Sequence, residues 1–247
     1  MVNIDTVYQR VLAFANKEQR GYITPQEFNL FANQAQLEIF EQYFYDLNQG
    51  ARIPGNDTEF SDILSLLGEK ISVFEIERDN AWVRSVMATV TNGFTLPPDM
   101  YRIGTVRVGT APVEMLTSKQ FNAAILSPLT TPTAVRPIGY MVNAGFTNAT
   151  IGKIIVAVSG TTYALPADYD INLSYIKIPT KAVWDYFVVN EKALYNTNSS
   201  VDFELHPSEE SELVYKILKF AGVSMAKPDI MRAGQGMEMA QTQQEKQ

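Results

Sequence analysis

The 247-residue sequence has no cysteine and only one histidine, His206. Without thiols there is no disulfide staple, no thiolate nucleophile and no cysteine-bound zinc or iron–sulfur site. A single imidazole restricts any Ser-His-Asp arrangement to His206 and excludes metal sites built on several histidines. No apolar run approaches the ~18 residues that a membrane-spanning helix needs. The opening Met1-Val2-Asn3-Ile4-Asp5 lacks the basic and apolar stretches of a secretory signal, so the expectation is a soluble protein made and used without export. No phosphate-binding G-x-x-x-x-G-K-[ST] occurs, and Gly234-Gln235-Gly236 has no strand-turn-helix context. Positive charge is scarce as well. Twenty Lys and Arg against 27 Asp and Glu leave a formal charge of −7, which disfavours a broad basic face for gripping phosphates. An acidic wall beside DNA that must slide past without sticking remains compatible with that balance.

What is present has the composition of a folded protein: 46% hydrophobic and 19% charged residues. The length suits one large domain or two small ones with a buried core. From Asn3 to Arg20, apolar Ile4, Val7, Val11, Phe14 and Ala15 recur every three or four positions, predicting a helix capped by Asn3 and ended near Gly21. Thr24-Pro25-Gln26-Glu27 then offers a hydroxyl N-cap, a proline at the first helical position and a glutamate placed for a reciprocal capping box. The helix that follows carries Phe28, Phe31, Ala32, Ala35, Ile39, Tyr43 and Leu47 on one stripe, widened by Leu37, Phe40 and Phe44. At ~24 residues it spans about 36 Å, more than one compact domain of this size requires. Its apolar surface asks for neighbours on more than one side, and packing between subunits is one way to supply them.

Asn48 to Asp62 is rich in Gly, Pro, Asn and Asp and predicts a loop, with Ser61 or Asp62 capping a brief helix through Leu67. From Ile71 the pattern changes to short β-type runs at Val83–Thr91, Tyr101–Val108, Lys153–Val158 and Ile171–Ile178. Ser127 to Pro137, with three prolines among threonines, predicts an exposed irregular loop. An echo, Phe94-Thr95-Leu96-Pro97-Pro98-Asp99 and Tyr163-Ala164-Leu165-Pro166-Ala167-Asp168, precedes a β-type run each time and suggests a rigid turn whose Asp bonds the backbone. The fold class expected is therefore α+β: a helical bundle from N- and C-terminal segments with an antiparallel β-rich domain inserted. The expected limits are residues 1–70 for the N-terminal helical part, 71–190 for the β-rich domain, 191–226 for the C-terminal helical part and 227–247 for an extended tail.

Pro207 and Glu209, Glu210 and Glu212 open the C-terminal helix, Lys216 and Lys219 sit near its end, and Gly222 closes it. Leu213, Val214, Ile217, Leu218 and Ala221 form its buried stripe. After Pro228 the chain turns Gln- and Met-rich and loses periodicity, the pattern of a tail that is disordered or ordered by a partner. Acidic groups at Asp57/Glu59, Glu75/Glu77/Asp79 and Glu209/Glu210/Glu212 have spacings common in acidic proteins. His206 before Pro207 suits a helix cap, and Trp82 and Trp184, with no basic residues interleaved, suit core anchors. No cofactor, metal or catalytic residue is expected. The informative features are those of an assembly component.

Three stretches carry a resemblance: Tyr22-Ile-Thr-Pro-Gln-Glu-Phe-Asn-Leu-Phe-Ala-Asn-Gln-Ala-Gln, Leu96-Pro-Pro-Asp-Met-Tyr-Arg-Ile, and Ser200-Val-Asp-Phe-Glu-Leu-His-Pro-Ser-Glu-Glu-Ser-Glu-Leu-Val with Ile217-Leu-Lys-Phe-Ala-Gly-Val. Together they resemble virion structural proteins of short-tailed, crAss-like bacteriophages and, more distantly, the head-to-tail adaptor or tail tubular proteins that ring the portal. The resemblance implies a ring of twelve copies, with the portal above, adjacent tail rings below and genomic DNA passing non-specifically through its channel. It also implies residence in the virion after assembly in the host cytoplasm, and no membrane partner. Carried onto this chain, the portal-docking tail is Ser224 to Gln247, with Met225, Pro228, Ile230, Met231, Met237 and Met239 as its apolar contacts. The subunit seam falls on Phe28, Phe31, Phe40 and Phe44. Another tail ring, a fibre-attachment collar, or a virion-associated hydrolase using Glu75, Glu77 and Asp79 are the alternatives.

Overall fold

A computed structural model describes residues 1–17, 23–50, 57–79, 83, 94–142, 152–158, 170–190, 192–224, 232 and 234–240. The fold is α+β. The chain forms two compact units, Met1–Val73 with Pro179–Gln247, and Phe74–Ile178 inserted between those segments in sequence.

The first unit is mainly helical. Helix α1 (Ile4–Lys17) is capped by Asn3, whose Oδ1 accepts from the Thr6 backbone N–H at 3.0 Å. Helix α2 (Pro25–Gly50) starts on the reciprocal box that its sequence predicts: Glu27 N–H donates to Thr24 Oγ1 at 3.3 Å and Thr24 N–H donates to Glu27 Oε2 at 3.0 Å. The Thr24 hydroxyl, donating to the same carboxylate, holds Glu27 below the usual glutamate range. Helix α3 (Asp57–Ser72) is longer than the brief helix expected, and α2 runs on to Gly50, so the predicted Asn48–Asp62 loop shrinks at both ends. Its core of 51–56 lies outside the described residues. Leu64, Leu67 and Ile71 keep the three-and-four spacing through Gly68, so one glycine does not stop the helix.

Helix α5 closes this unit at Glu210–Ser224, entered through a 3₁₀ turn at Pro207–Glu209; Gly222 lies within it rather than ending it. His206 is the cap, its ring accepting from Ser208 N–H. Helix α5 packs on α1 and α2, and α3 packs on α2. The acidic run at its start is spent on ion pairs: Arg10–Glu210 at 2.9 Å, Lys70–Glu209 at 2.6 Å, and Lys216–Glu212 at 3.4 Å. The N-terminal Val2 forms a bridge with Phe203, and Ile4 N–H donates to Asp202 at 2.9 Å.

Among the described residues, the second unit contains two four-stranded sheets and the helix α4 (Ser118–Leu126). Sheet one has the order β1 (Glu75–Arg78), β8 (Ile171–Lys177), β3 (Met100–Val108), β4 (Ala111–Pro112). Sheet two has the order β2 (Phe94–Thr95), β7 (Lys153–Ala157), β6 (Ile138–Val142), β5 (Glu114–Leu116). Val106, Val108, Leu173 and Tyr175 from sheet one share a core with Phe94, Ile154 and Val156 from sheet two. The other face of sheet two buries Ile138, Ile155 and Ala157 under Phe121 of α4. β7 is thus covered on both faces, which is why it reads as the unbroken Ile-Ile-Val-Ala, whereas β8 alternates buried Ile171, Leu173 and Tyr175 with half-buried Asn172 and Ser174.

Two expectations need correction. The block is not wholly antiparallel, because β5 and β6 pair in parallel. Parallel neighbours need a crossover, and α4 with the Ser127–Pro137 connection provides it. Helix α4 has its own capping box at Thr117 and Gln120. The β-rich part also ends at Ile178 rather than 190, because residues 180–184 are bound to α2, as described next. Asp99, for its part, accepts from the Tyr175 hydroxyl rather than from the backbone. Burial of that phenol pushes its pKa up. The second copy of the echo, Trp82, and most of the Val83–Thr91 run lie outside the described residues.

Candidate functional site

The first candidate surface is a hairpin mounted on α2. Along the helix, Asn29, Asn33 and Gln36 form an uncharged amide stripe beside the buried stripe, and it faces an extended segment at 180–184. Asn33 accepts from the Ala182 N–H at 2.9 Å and donates to the Ala182 carbonyl at 2.9 Å. Asn29 does the same for Trp184, at 2.8 and 3.1 Å. Gln36 donates to the Thr180 carbonyl at 2.8 Å, and Glu204 accepts from Thr180 N–H at 2.9 Å. The periods match: helical steps of four and three place side chains opposite alternate residues of an extended chain. The amides act as the missing neighbouring strand and satisfy backbone groups that burial would leave orphaned.

Trp184 is thereby fixed, its Nε1–H donating to Asp5 at 2.9 Å and its ring 4.3 Å from that of Tyr8. It is the core anchor expected of it. On it stack Tyr186 and Tyr195, each with ring centroids 5.8 Å away. These two tyrosines face each other across β9 (Tyr186–Val189) and β10 (Lys192–Tyr195), joined by a turn in which Asn190 takes φ +49°. The pleat then sends Phe187, its cross-strand partner Leu194 and Val189 to the opposite face, where they are 49%, 44% and 44% exposed, while Val188, on the tyrosine face, is also exposed. At the root of the hairpin, Asp185 accepts from the hydroxyl of Ser199 and from Asn196 Nδ2, and the serine bond holds the carboxyl below its usual range. An isolated two-stranded hairpin is marginal in water. This one is held at its base by an aromatic stack and a hydrogen-bonded platform, and one face of its strands carries exposed Phe187, Leu194 and Val189.

Helix α2 presents a second apolar stripe on the side away from its core: Leu30, Leu37 and Tyr45 are all exposed. Phe28 and Phe40, expected at a subunit seam, are instead fully buried in the core of their own unit, so no surface of theirs is left for a neighbour. Phe31 and Phe44 are half-buried. In the other unit the connection after α4 leaves Leu126, Leu129 and Val135 almost wholly exposed, Leu129 at 95%.

The C-terminal tail also departs from expectation where it is described. Residues 234–240 are helical and lie on α5. Glu238 reaches Lys216 Nζ at 2.8 Å and Lys219 Nζ at 3.1 Å. Met237 and Met239 are exposed, while Met225, Pro228, Ile230 and Met231 lie outside the described residues.

Sheet one carries a shallow polar groove of about 290 Å³ lined by Glu77, Thr105, Arg107, Asn172 and Ser174. Among the described residues Glu77 is the carboxylate that lines it, paired with Arg107 at 2.8 Å. Among the described residues no group of acidic or histidine side chains is placed to hold a metal ion, and no helix is long and apolar enough to cross a membrane. No family model matches the chain, and no curated protein matches it.

Proposed function

We propose that this chain is a structural protein of a virion, the ring-forming connector that joins the portal of a short-tailed phage to its tail and leaves a channel for the genome. The observation that carries this reading is the β9–β10 hairpin. Exposed apolar residues scattered singly are ordinary, but Phe187, Leu194 and Val189 share one exposed face of the hairpin. Its base is rigid, so its position relative to α2 is set before any partner arrives. An apolar hairpin face on one part of a subunit and an apolar stripe on another (Leu30, Leu37, Tyr45) suit a head-to-tail contact, and such contacts form a ring where the rotation between neighbours closes, a filament where it does not. The work of such a protein is geometric: it matches interfaces above and below, and its net negative charge limits adhesion of passing phosphates. The sequence resemblance points the same way and supplies the expectation of twelve copies, with the portal and adjacent tail rings as partners.

Quantitative mass spectrometry of purified virions tests the reading. A stacked ring of matching symmetry requires copies of this protein close to a one-to-one ratio with the portal subunit. Absence from the particle would overturn the structural role, and a several-fold excess over portal would replace the connector with a tail-tube or fibre component. On the recombinant chain, Phe187→Glu is expected to abolish any ring seen by native mass spectrometry while leaving the monomer folded.

A further inference from the structure

Lys216 is 5% exposed at its side chain, yet it lies on a helix that ends only eight residues later. Its cover comes from the helical segment 234–240. Glu238 bridges Lys216 and Lys219, and Glu212 of α5 and Glu38 and Gln42 of α2 complete the surroundings at 3.4, 3.9 and 3.4 Å. Gly234 lies flat on the same helix, where a Cβ would come within 3.1 Å of both the Tyr215 carbonyl oxygen and the Lys219 nitrogen. The contact is thus specific at two points four residues apart, a backbone approach that a Cβ would crowd and a carboxylate shared by two ammonium groups. Its outer residues, Met237 and Met239, remain exposed. A buried cation with an acidic helical segment seated on it by one carboxylate is a receptor and its ligand on one chain.

We infer that the α5 face around Lys216 and Lys219 is a docking site for a short helix that brings one carboxylate and one close-lying glycine, and that residues 234–240 occupy it as an internal occupant that a second copy of the same segment can replace. Nothing in this contact depends on the virion reading. The chemistry that selects the ligand is a single carboxylate between two lysines. Glu212 and Glu38 stay with Lys216 when the segment leaves, so the uncovered lysine keeps partial neutralisation and the open state remains accessible. Each copy carries both halves of the pair, which is the condition for exchange between neighbouring molecules.

The test is acylation of Lys216 on the full chain near neutral pH, followed by mass spectrometry, in wild type and in Glu238→Lys. The expected result is a rate at Lys216 at least about tenfold higher in the variant, since loss of the Glu238 bridge favours local opening of the segment without global unfolding. A synthetic peptide of residues 230–242 should restore protection to the variant, and the same peptide carrying Glu238→Lys should not. Equal protection of Lys216 in wild type and variant overturns the inference, as does equal or no protection by the two peptides at millimolar concentration. If charge reversal melts the unit by circular dichroism, Glu238→Gln and Gly234→Val replace it, the first removing the charge and the second the close backbone approach.

Discussion

Replacing Asn33 by alanine removes both hydrogen bonds that serve the backbone of Ala182, and Ala182 is fully buried. Among the described residues no other hydrogen bond serves either group, so the N–H and the C=O are both orphaned away from water. Each buried unsatisfied group costs about 1–3 kcal/mol, and the small cavity left by the amide adds to that. The sum is about 2–6 kcal/mol, large against a total stability on the order of 5–15 kcal/mol. For a chain of this size a loss of 1 kcal/mol lowers Tm by roughly 2–4 °C, so a fall of at least about 5 °C is expected. Urea titration and calorimetry measure it. Gln34→Ala is the control, since Gln34 is the next residue of the same helix and also an amide, but exposed; it should lie within about 0.5 kcal/mol of wild type. Asn33→Asp sharpens the test, because it keeps the acceptor for Ala182 N–H but turns a second acceptor toward the Ala182 carbonyl. If Asn33→Ala matched the Gln34 control, or if Asn33→Asp were neutral, the amide stripe would not be holding the 180–184 segment and the reasoning for a rigid hairpin base would fail.

Three further outcomes are expected. Thr24→Ala opens the capping box of α2 and should cost about 1 kcal/mol by urea denaturation; Thr24→Asp should recover most of it. Gly104→Ala places a Cβ 2.8 Å from the Ser174 carbonyl oxygen across the β3–β8 pair, so it should destabilise the chain by about 1–3 kcal/mol, while Gly68→Ala, with open space around it, should not. For Glu238, burial pushes the carboxyl up, but the hydrogen bonds and charges of Lys216 and Lys219 outweigh it and hold the folded pKa below 4.5. The stabilisation is therefore present above pH 4.5 and lost as pH falls toward the folded value, and Glu238→Gln should flatten that acid limb in urea titrations. On the basic side, burial pulls Lys216 down, but Glu238, Glu212 and Glu38 together hold it above 10.5, so its contribution persists until pH rises beyond that value.

Legibility followed the range of the physics. Features set within four residues were readable: the box at Thr24 and the cap at His206, the strand at Lys153–Ala157, and the dipole-matched opening of α5. Its Glu209–Glu212 run was legible as a helix start but not as a set of ion pairs, because Arg10, Lys70 and Lys216 reach it only through the fold. The α4 helix was missed although Thr117 and Gln120 spell its box, since nine residues between short strands give too little periodicity. The parallel β5–β6 pair was out of reach for the same reason, because only the crossover helix announces it. The seam residues failed differently. Phe28 and Phe40 are apolar in the right period, but period alone separates a helix's faces without saying which face meets its own chain.

The stripe that mattered most is polar. Asn29, Asn33 and Gln36 repeat with the same step as the core residues beside them, carry no charge, and sit on a helix whose exposed face already has Leu30, Leu37 and Tyr45. A helix that keeps amides at helical spacing next to its core while sending leucines outward inverts the usual sorting of polar and apolar faces. Amides placed so match the backbone of an extended segment, whose alternate residues fall opposite helical steps of four and three. The inversion therefore predicts two things at once: an extended segment docked on the amides, and a partner for the leucines. The first is the 180–184 segment that carries the hairpin. The second is the contact that the virion copy-number and Phe187→Glu experiments are designed to find, with Leu37→Glu on α2 expected to break the same assembly from its other side.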